Sequence, residues 1–137
     1  MNVEKIHSVY FIGIGGIGMS ALARYFNFLG KNVSGYDRTE TSLTKELVSE
    51  GINIHYVDKI DLIPLQIMQR NTEEVLIIYT PAIPKNHSQF NYLKEKGFKP
   101  YKRSEILGLL SANKFGIAVA GTHGKTTVST LIAHILK

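Results

Sequence analysis

Short apolar runs alternate along this chain with segments whose apolar residues recur at helical spacing. Apolar runs predict strands at residues 9–12 and 75–79, and the mixed segments at 32–36, 52–57 and 98–101 are further strand candidates. Between them, residues such as Leu22, Tyr25, Phe26 and Leu29 mark one face of a helix. The first predicted helix ends at Gly30. The others run from Thr41 to Glu50, Pro64 to Met68, Ser88 to about Lys96 and Ser104 to Leu110. Their predicted N-caps include Thr41, Ser88 and Ser104. This alternation predicts an α/β fold, a Rossmann-like, doubly wound parallel sheet covered by helices.

A second unit begins near the end of the sequence. Residues 116–120 predict a strand, residues 121–125 a turn, and Thr126 onward a helix. The apolar stripe of that helix comprises Val128, Leu131, Ile132, Ile135 and Leu136. We therefore expect a first domain at 1–112 and the start of a truncated second domain at 113–137. Because such an apolar face is rarely left exposed, it is expected to pack against the first domain or a second copy of the chain.

Composition narrows the classes of function. The 137 residues include no cysteine, which excludes disulfides, thiolate zinc sites and a cysteine nucleophile. The longest apolar run, Val75 to Tyr79, is far short of the ~18 residues of a membrane span, and no signal-peptide pattern is present, so a cytoplasmic soluble protein is expected. The net charge of +5 is a mild basic bias. The basic stretch from Lys94 to Arg103 lacks the pattern of a nucleic-acid face and is interpreted as solvated surface.

The first candidate site is a glycine-rich turn. Gly13, Gly15 and Gly18 fit G-x-G-x-x-G between a predicted strand and a predicted helix. In that fingerprint the first glycine permits a tight turn, the second lets the backbone approach a diphosphate, and the third allows close contact between helix and strand. Asp37 ends the next strand, where an acid can bind ribose hydroxyls. The pattern predicts phosphate binding without deciding the nucleotide. NAD is the usual ligand of this fingerprint, and UDP-linked sugars use similar geometry.

The second candidate site is another glycine-rich turn, between the strand at 116–120 and the helix that follows. Its residues are Gly121, Thr122, His123, Gly124, Lys125, Thr126 and Thr127. A Gly-Lys-Thr sequence in this context predicts a loop whose N–H groups cradle phosphates, with Lys125 on the terminal phosphates and the Thr126 hydroxyl on Mg²⁺. The loop departs from the strict pattern, because Val119 stands where a glycine is expected. Two phosphate loops together indicate an ATP-driven transfer or ligation.

Four motifs in this order resemble the Mur ligases, the ATP-dependent amino-acid ligases of peptidoglycan synthesis. They are residues 13–20 (GIGGIGMS), 33–37 (VSGYD), 80–83 (TPAI) and 121–127 (GTHGKTT). His123 resembles the residue found at this position in the branch of the family that adds L-alanine, since related ligases have asparagine there. Two positions depart from the family pattern: Tyr36 replaces a frequent serine, and Val57-Asp58 stands near a frequent Gly-His pair.

The resemblance implies a three-domain enzyme in which the first domain binds UDP-N-acetylmuramate, the second binds ATP and the third binds the amino acid. Its implied reaction transfers the γ-phosphoryl group of ATP to the muramate carboxylate, and L-alanine then displaces phosphate to form the amide. The chain would contain the first domain and the opening of the second, so we expect it to bind UDP-sugar without catalysing the reaction.

The resemblance also assigns roles to residues. Those implied to bind the UDP-sugar are Gly13, Gly15, Gly16, Gly18, Met19, Ser20, Asp37, Thr80, Pro81 and Ala82. Those implied to bind ATP are residues 121–127, with Lys125 catalytic and Thr126 on Mg²⁺. Arg103 and Glu105 match an Arg-x-Glu pair at the family's interdomain junction, but they equally fit an ordinary helix N-terminus.

Three alternatives remain open at this point. Gly13, Gly15, Gly18 and Asp37 alone would fit an NAD-dependent or nucleotide-sensing module. The second loop alone would fit a non-catalytic ATP-binding module. Within the family, a murein-recycling ligase would add a peptide instead of L-alanine. His7, His55, His87 and His134 have no metal-ligand spacing and are interpreted as ordinary histidines.

Overall fold

A parallel five-stranded sheet forms the centre of the part of the chain that the structure describes. The computed structural model describes residues 3–113, and its strands are β1 (Ser8–Ile12), β2 (Asn32–Tyr36), β3 (Asn53–His55), β4 (Val75–Tyr79) and β5 (Pro100–Lys102). The strand order is β3-β2-β1-β4-β5, and every neighbouring pair is parallel. The chain therefore winds outward from β1 in both directions, which confirms the predicted doubly wound α/β fold.

Within residues 3–113, five α-helices connect and cover these strands. They are α1 (Ile17–Phe28), α2 (Ser42–Ser49), α3 (Leu65–Met68), α4 (Ser88–Glu95) and α5 (Arg103–Asn113). Short 3₁₀ turns lie at Val3–Lys5, Ile60–Leu62 and Thr72–Glu74. Among residues 3–113, no helix combines the length and apolar character needed to cross a bilayer.

The central strand has alternating side chains that build two cores. Val9 and Phe11 face the core shared with α1, α2 and α5, whereas Tyr10 and Ile12 face the core shared with α3 and α4. All four side chains are fully buried. A strand covered on both faces has no solvent side, which explains why β1 and β4 are apolar at nearly every position.

The structure corrects several predicted boundaries. The N-cap of α4 is His87, whose Nδ1 accepts a hydrogen bond from the Phe90 N–H at 3.2 Å, so Ser88 is the first helical residue. The prediction of Ser104 as a cap is also wrong, because α5 already begins at Arg103. There the Glu105 carboxylate accepts from the Lys102 N–H at 2.9 Å and caps the helix from within its first turn. The sequence prediction favoured Ser88 and Ser104 as N-caps because it ignored other side chains that bond to the backbone at the helix N-terminus.

Two edge strands are shorter than the predicted segments. The strand predicted at residues 52–57 is reduced to β3 (Asn53–His55), and that predicted at 98–101 is displaced to β5 (Pro100–Lys102). Ile52 and Phe98, 1% and 6% exposed, lie just before these strands and pack into the cores. By contrast, the Thr41 cap of α2 is confirmed, with its hydroxyl accepting from the Thr44 N–H and the Thr44 hydroxyl from the Thr41 N–H. The predicted unit at 113–137 lies almost wholly outside the described residues.

Candidate functional site

The turn after β1 lies at the carboxyl edge of the sheet, where ligands of open α/β folds bind. The strand order changes direction at β1, because β2 and β4 flank it on opposite sides. The N–H groups of Gly13 and Ile14 both donate to the Tyr36 carbonyl, at 2.8 and 3.0 Å, and hold the turn against β2. A cavity of about 390 Å³ also exists at the opposite, amino edge, lined partly by Lys5 and Thr72. Topology therefore places the candidate site at the glycine turn.

A bare helix N-terminus follows this turn. Gly16 is the N-cap of α1 and makes no side-chain cap hydrogen bond, and no acid lies in the first turn. The first hydrogen bond of the helical ladder runs from the Ser20 N–H to the Gly16 carbonyl at 2.8 Å. The N–H groups of the preceding first-turn residues thus have no partner within the helix and carry its partial positive charge. This arrangement is suited to an anion such as phosphate.

The first glycine is required by two separate constraints. Gly13 has φ of +94°, a conformation that side chains rarely adopt. A Cβ built there would also lie 2.3 Å from Cγ2 of Thr80. The tight turn predicted for Gly13 is therefore present, and the absent side chain lets the segment after β4 lie directly against it.

The second glycine of the motif lies beside the predicted acid. The Gly15 N–H donates to Oδ1 of Asp37 at 2.9 Å, and the Thr39 N–H donates to Oδ2 at 3.1 Å. A Cβ on Gly15 would lie 2.9 Å from the Asp37 carboxylate. The carboxylate is half-exposed, so it stays accessible to a ligand hydroxyl at the loop. The structure thus joins Gly15 and Asp37, which are far apart in sequence.

Glycine at position 35 is a supporting residue that sequence reasoning missed. A Cβ on Gly35, in β2, would lie 2.9 Å from both the Phe11 carbonyl oxygen and Cδ1 of Ile14. The absence of a Cβ on Gly35 lets the glycine turn pack closely against β2. The signal was a glycine inside a predicted strand, which often marks a close approach of backbone.

The other predicted UDP-sugar residues differ in accessibility. Pro81 and Ala82 are exposed beside the glycine turn, and the Ala82 N–H is 3.5 Å from the Thr80 hydroxyl. Met19 is 4% exposed and lies in the core, and Ser20, 3% exposed, donates its hydroxyl to the Ile17 carbonyl at 2.8 Å. Met19 and Ser20 thus present almost no side chain to solvent at the site.

The third glycine of the motif has a different neighbour from the one predicted. The fingerprint assigns this glycine to helix–strand contact. Here a Cβ on Gly18 would lie 2.8 Å from Cδ and Nε of Arg103 and 3.0 Å from its Cζ. The guanidinium at the start of α5 therefore lies across the first turn of α1. The sequence left Arg103 open between an interdomain junction and an ordinary helix N-terminus, and it did not predict this contact because Gly18 and Arg103 are far apart in sequence.

A polar network beside the site was also missed. The Tyr10 hydroxyl donates to Oε1 of Gln89 at 2.6 Å and lies 2.9 Å from Nε2 of His55. The Gln89 amide nitrogen lies 2.8 Å from the same His55 nitrogen and donates to the Lys59 carbonyl at 2.7 Å. His55 ends β3 while Gln89 lies in α4, so the network joins the segments that follow two separate strands. Because parallel strands share a carboxyl edge, their positions at strand ends were a usable signal.

The carboxylate of Asp58, which is remote from α4 in the sequence, binds the N-terminus of that helix. Asp58 accepts from the Ser88 and Gln89 N–H groups at 2.7 and 2.9 Å, and its Oδ1 lies 3.4 Å from Nδ1 of His87. His87 is 2% exposed and packs edge-on to the Tyr36 ring, with centroids 4.9 Å apart. Burial lowers the pKa of both His87 and His55, against the opposing charge of Asp58. Burial also raises the pKa of Tyr10 far above its usual range, so its hydroxyl stays protonated.

The predicted ATP loop, Gly121 to Thr127, lies outside the described residues, as do Lys125 and Thr126. Within residues 3–113, no group of three or more His, Asp or Glu side chains could hold a metal ion. The described site therefore consists of the glycine turn, Asp37, Arg103 and the segment from Thr80 to Ala82.

Comparison with known proteins identifies the family. The model of the Mur ligase family, catalytic domain, matches residues 8–115. The chain belongs to the Mur ligase family. The UDP-N-acetylmuramate–L-alanine ligase of Flavobacterium psychrophilum is 59% identical over 136 residues, which cover 99% of this chain and 30% of that relative. The enzyme of the same name from Flavobacterium johnsoniae is 54% identical over the same lengths. The chain thus spans about 30% of the length of the curated relatives it matches.

Solved structures of Mur ligases share the fold. The UDP-N-acetylmuramate–alanine ligase of Thermotoga maritima aligns with a TM-score of 0.66 at 28% identity, covering 78% of this chain and 23% of that one. A UDP-N-acetylmuramate:L-alanyl-γ-D-glutamyl-meso-diaminopimelate ligase of Neisseria aligns with a TM-score of 0.61 at 18% identity, covering 74% of this chain and 30% of that one. The second comparison supports only the fold, which both branches of the family share.

Proposed function

We propose that this chain is the N-terminal portion of an ATP-dependent ligase that joins L-alanine to UDP-N-acetylmuramate through an acyl phosphate. In this proposal residues 1–112 bind the UDP-sugar and residues 113–137 begin the ATP-binding domain. The chain by itself binds the UDP-sugar and does not catalyse ligation. The observation that carries the proposal is the uncapped N-terminus of α1 behind the glycine turn, in a chain with close relatives that have this activity by name.

The geometry supports an order for the bound UDP-sugar along the sheet edge. Asp37, on the β2 side, accepts a ribose hydroxyl with the carboxylate lone pairs that its two backbone hydrogen bonds leave available. The uncapped N–H groups of α1 hold the diphosphate at the centre. The segment from Thr80 to Ala82, in which Pro81 and Ala82 are exposed, borders the sugar on the β4 side. Each portion of the ligand then meets a group of suitable chemistry.

The second domain supplies the remaining chemistry in this proposal. ATP with Mg²⁺ supplies the phosphoryl group when bound, and Lys125 and Thr126 would hold it. The apolar stripe from Val128 to Leu136 would pack against the first domain or against a second copy of the chain. Size-exclusion chromatography with light scattering tests this: a concentration-dependent dimer supports self-association of the chain, and a monomer at all concentrations refutes it.

Calorimetric titration of the 137-residue chain with UDP-N-acetylmuramate tests the proposed ligand, with NAD and ATP as parallel ligands. We expect heat from the UDP-sugar only. Binding of NAD instead would support a dinucleotide module, and binding of ATP alone would support a module that uses only the second loop. No binding of the UDP-sugar would refute the proposed function of the chain. Formation of the L-alanine adduct by this chain would contradict its proposed inactivity.

A glycine variant links that binding to the turn. A Cβ on Gly16 would meet only Met19, at 3.8 Å, so Gly16→Val leaves the fold intact while adding bulk where the diphosphate approaches. Gly108 in α5 has open space within 4 Å of a Cβ built there, and Gly108→Val is the matched control. We expect the first variant to lose UDP-sugar affinity and the second to keep it. Equal affinities for both would place the ligand elsewhere.

A further inference from the structure

The side chain of Arg103 is a cation that the fold brings to the glycine turn from a distant part of the sequence. It begins α5, directly after β5, at the same sheet edge as the turn. Helices α1 and α5 pack on the same face, against one core. The guanidinium extends over the first turn of α1, where only the missing side chain of Gly18 makes room. A glycine that makes room for an arginine points to a role for that arginine at the turn.

The charge of Arg103 is not neutralised within the described part of the chain. Its guanidinium makes no hydrogen bond or ion pair with any residue between 3 and 113, whereas Arg24 pairs with Glu46 and Glu50, and Arg70 with Glu74. Glu105, two residues further on, is turned back to the Lys102 N–H at 2.9 Å. A free guanidinium above unpaired helix N–H groups adds positive charge and a planar set of donors, which matches a phosphate.

We propose that Arg103, seated across Gly18, binds the distal phosphate of the nucleoside diphosphate at the glycine turn. The proposal rests on the proposed function, which places the diphosphate there. Asp37 lies on the β2 side at Gly15, and Arg103 lies on the β5 side at Gly18. A ligand with its ribose at Asp37 therefore presents its first phosphate to the centre of the turn and its second to Arg103. Arg103 thus distinguishes a diphosphate from a monophosphate.

Titration of the 137-residue chain with UDP-N-acetylmuramate, UDP and UMP tests this assignment. We expect Arg103→Ala to weaken UDP and UDP-N-acetylmuramate binding roughly ten- to a hundredfold, the usual effect of a lost charge-assisted hydrogen bond. UMP affinity should change less than about threefold, because an exposed charge acts weakly at longer range. Arg103→Lys retains the charge without the planar donors, and its UDP affinity should lie between those of the unmodified chain and Arg103→Ala. Arg70→Ala, which removes a cation near the opposite edge, is the matched control and should leave all three affinities unchanged.

A second variant separates the contact of Arg103 with Gly18 from any effect on the stability of the fold. Gly18→Ala places a methyl group 2.8 Å from the Arg103 side chain, which can move because it is long and exposed. It should reduce UDP affinity selectively, with little effect on thermal unfolding, and should add nothing further in the Arg103→Ala background. Additive losses in the double variant would overturn the seating of Arg103 on Gly18. Equal losses of UDP and UMP affinity in Arg103→Ala, or no loss of either, would overturn the assignment. Absence of UDP-sugar binding by the unmodified chain would instead overturn the proposed function and this inference with it.

Discussion

Substitution of Gly13 by alanine should destabilise the fold for two reasons that can be measured apart. An L side chain at φ of +94° costs about 1–2 kcal/mol. The new methyl group would also lie 2.3 Å from Cγ2 of Thr80, a packing conflict worth about 1–3 kcal/mol. Their sum, about 2–5 kcal/mol, is a large part of the ~5–15 kcal/mol that stabilises a typical domain.

Two further variants isolate these contributions. Gly51 follows α2 with φ of +98° and nothing within 4 Å of a built Cβ, so Gly51→Ala should cost only the conformational part, about 1–2 kcal/mol. Thr80→Ser removes the conflicting methyl group and keeps the hydroxyl. In a double-mutant cycle it should therefore recover the packing part of the Gly13→Ala loss, about 1–3 kcal/mol.

Urea unfolding of the four variants and the unmodified chain provides the free energies. We expect Gly13→Ala to be clearly less stable than Gly51→Ala, and Thr80→Ser to narrow the difference. If Gly13→Ala and Gly51→Ala lose the same stability, the close contact between the glycine turn and the segment after β4 does not exist. If Thr80→Ser gives no recovery, the conflict involves atoms other than the Thr80 methyl group.

Contacts near the site give three other predictions. Burial lowers the pKa of His55 and His87, so their stabilising contribution is full above the unfolded value of about 6.5 and is lost as pH falls through the folded pKa values. His87→Asn retains a cap acceptor and should flatten the acid side of a urea-midpoint profile; an unchanged slope would contradict it. Asp58→Ala removes the acceptor of two α4 N–H groups and should cost about 0.5–2 kcal/mol in urea unfolding, with no loss if solvent replaces it fully. Gly35→Ala places a methyl group 2.9 Å from the backbone carbonyl of Phe11, which cannot rotate away, and should cost about 1–3 kcal/mol, whereas Gly108→Ala should cost nothing. Equal thermal midpoints for these two alanine variants would refute the packing argument.

Local sequence pattern determined the regular elements and their order. The bounds of β2 and β4 agree with the predicted ones. In β4 the signal is a continuous apolar run, because that strand is covered on both faces. The tight turn at Gly13 followed from glycine chemistry next to a strand, and the Thr41 cap from its hydroxyl before an amphipathic segment. Four motifs in order identified the family, and comparison confirmed it.

Only the tertiary structure decided which distant side chains share the sheet edge. Arg103 lies against Gly18, Asp37 binds the Gly15 N–H, and Asp58 caps a helix that begins thirty residues later. The wrongly predicted caps are a different case, because His87 and Glu105 each accept from a backbone N–H only three residues away. The sequence gives the order of the side chains, but its local periodicity carries no information on contacts between remote segments. Parallel topology supplies that information, because it brings the carboxyl ends of strands far apart in sequence to one edge.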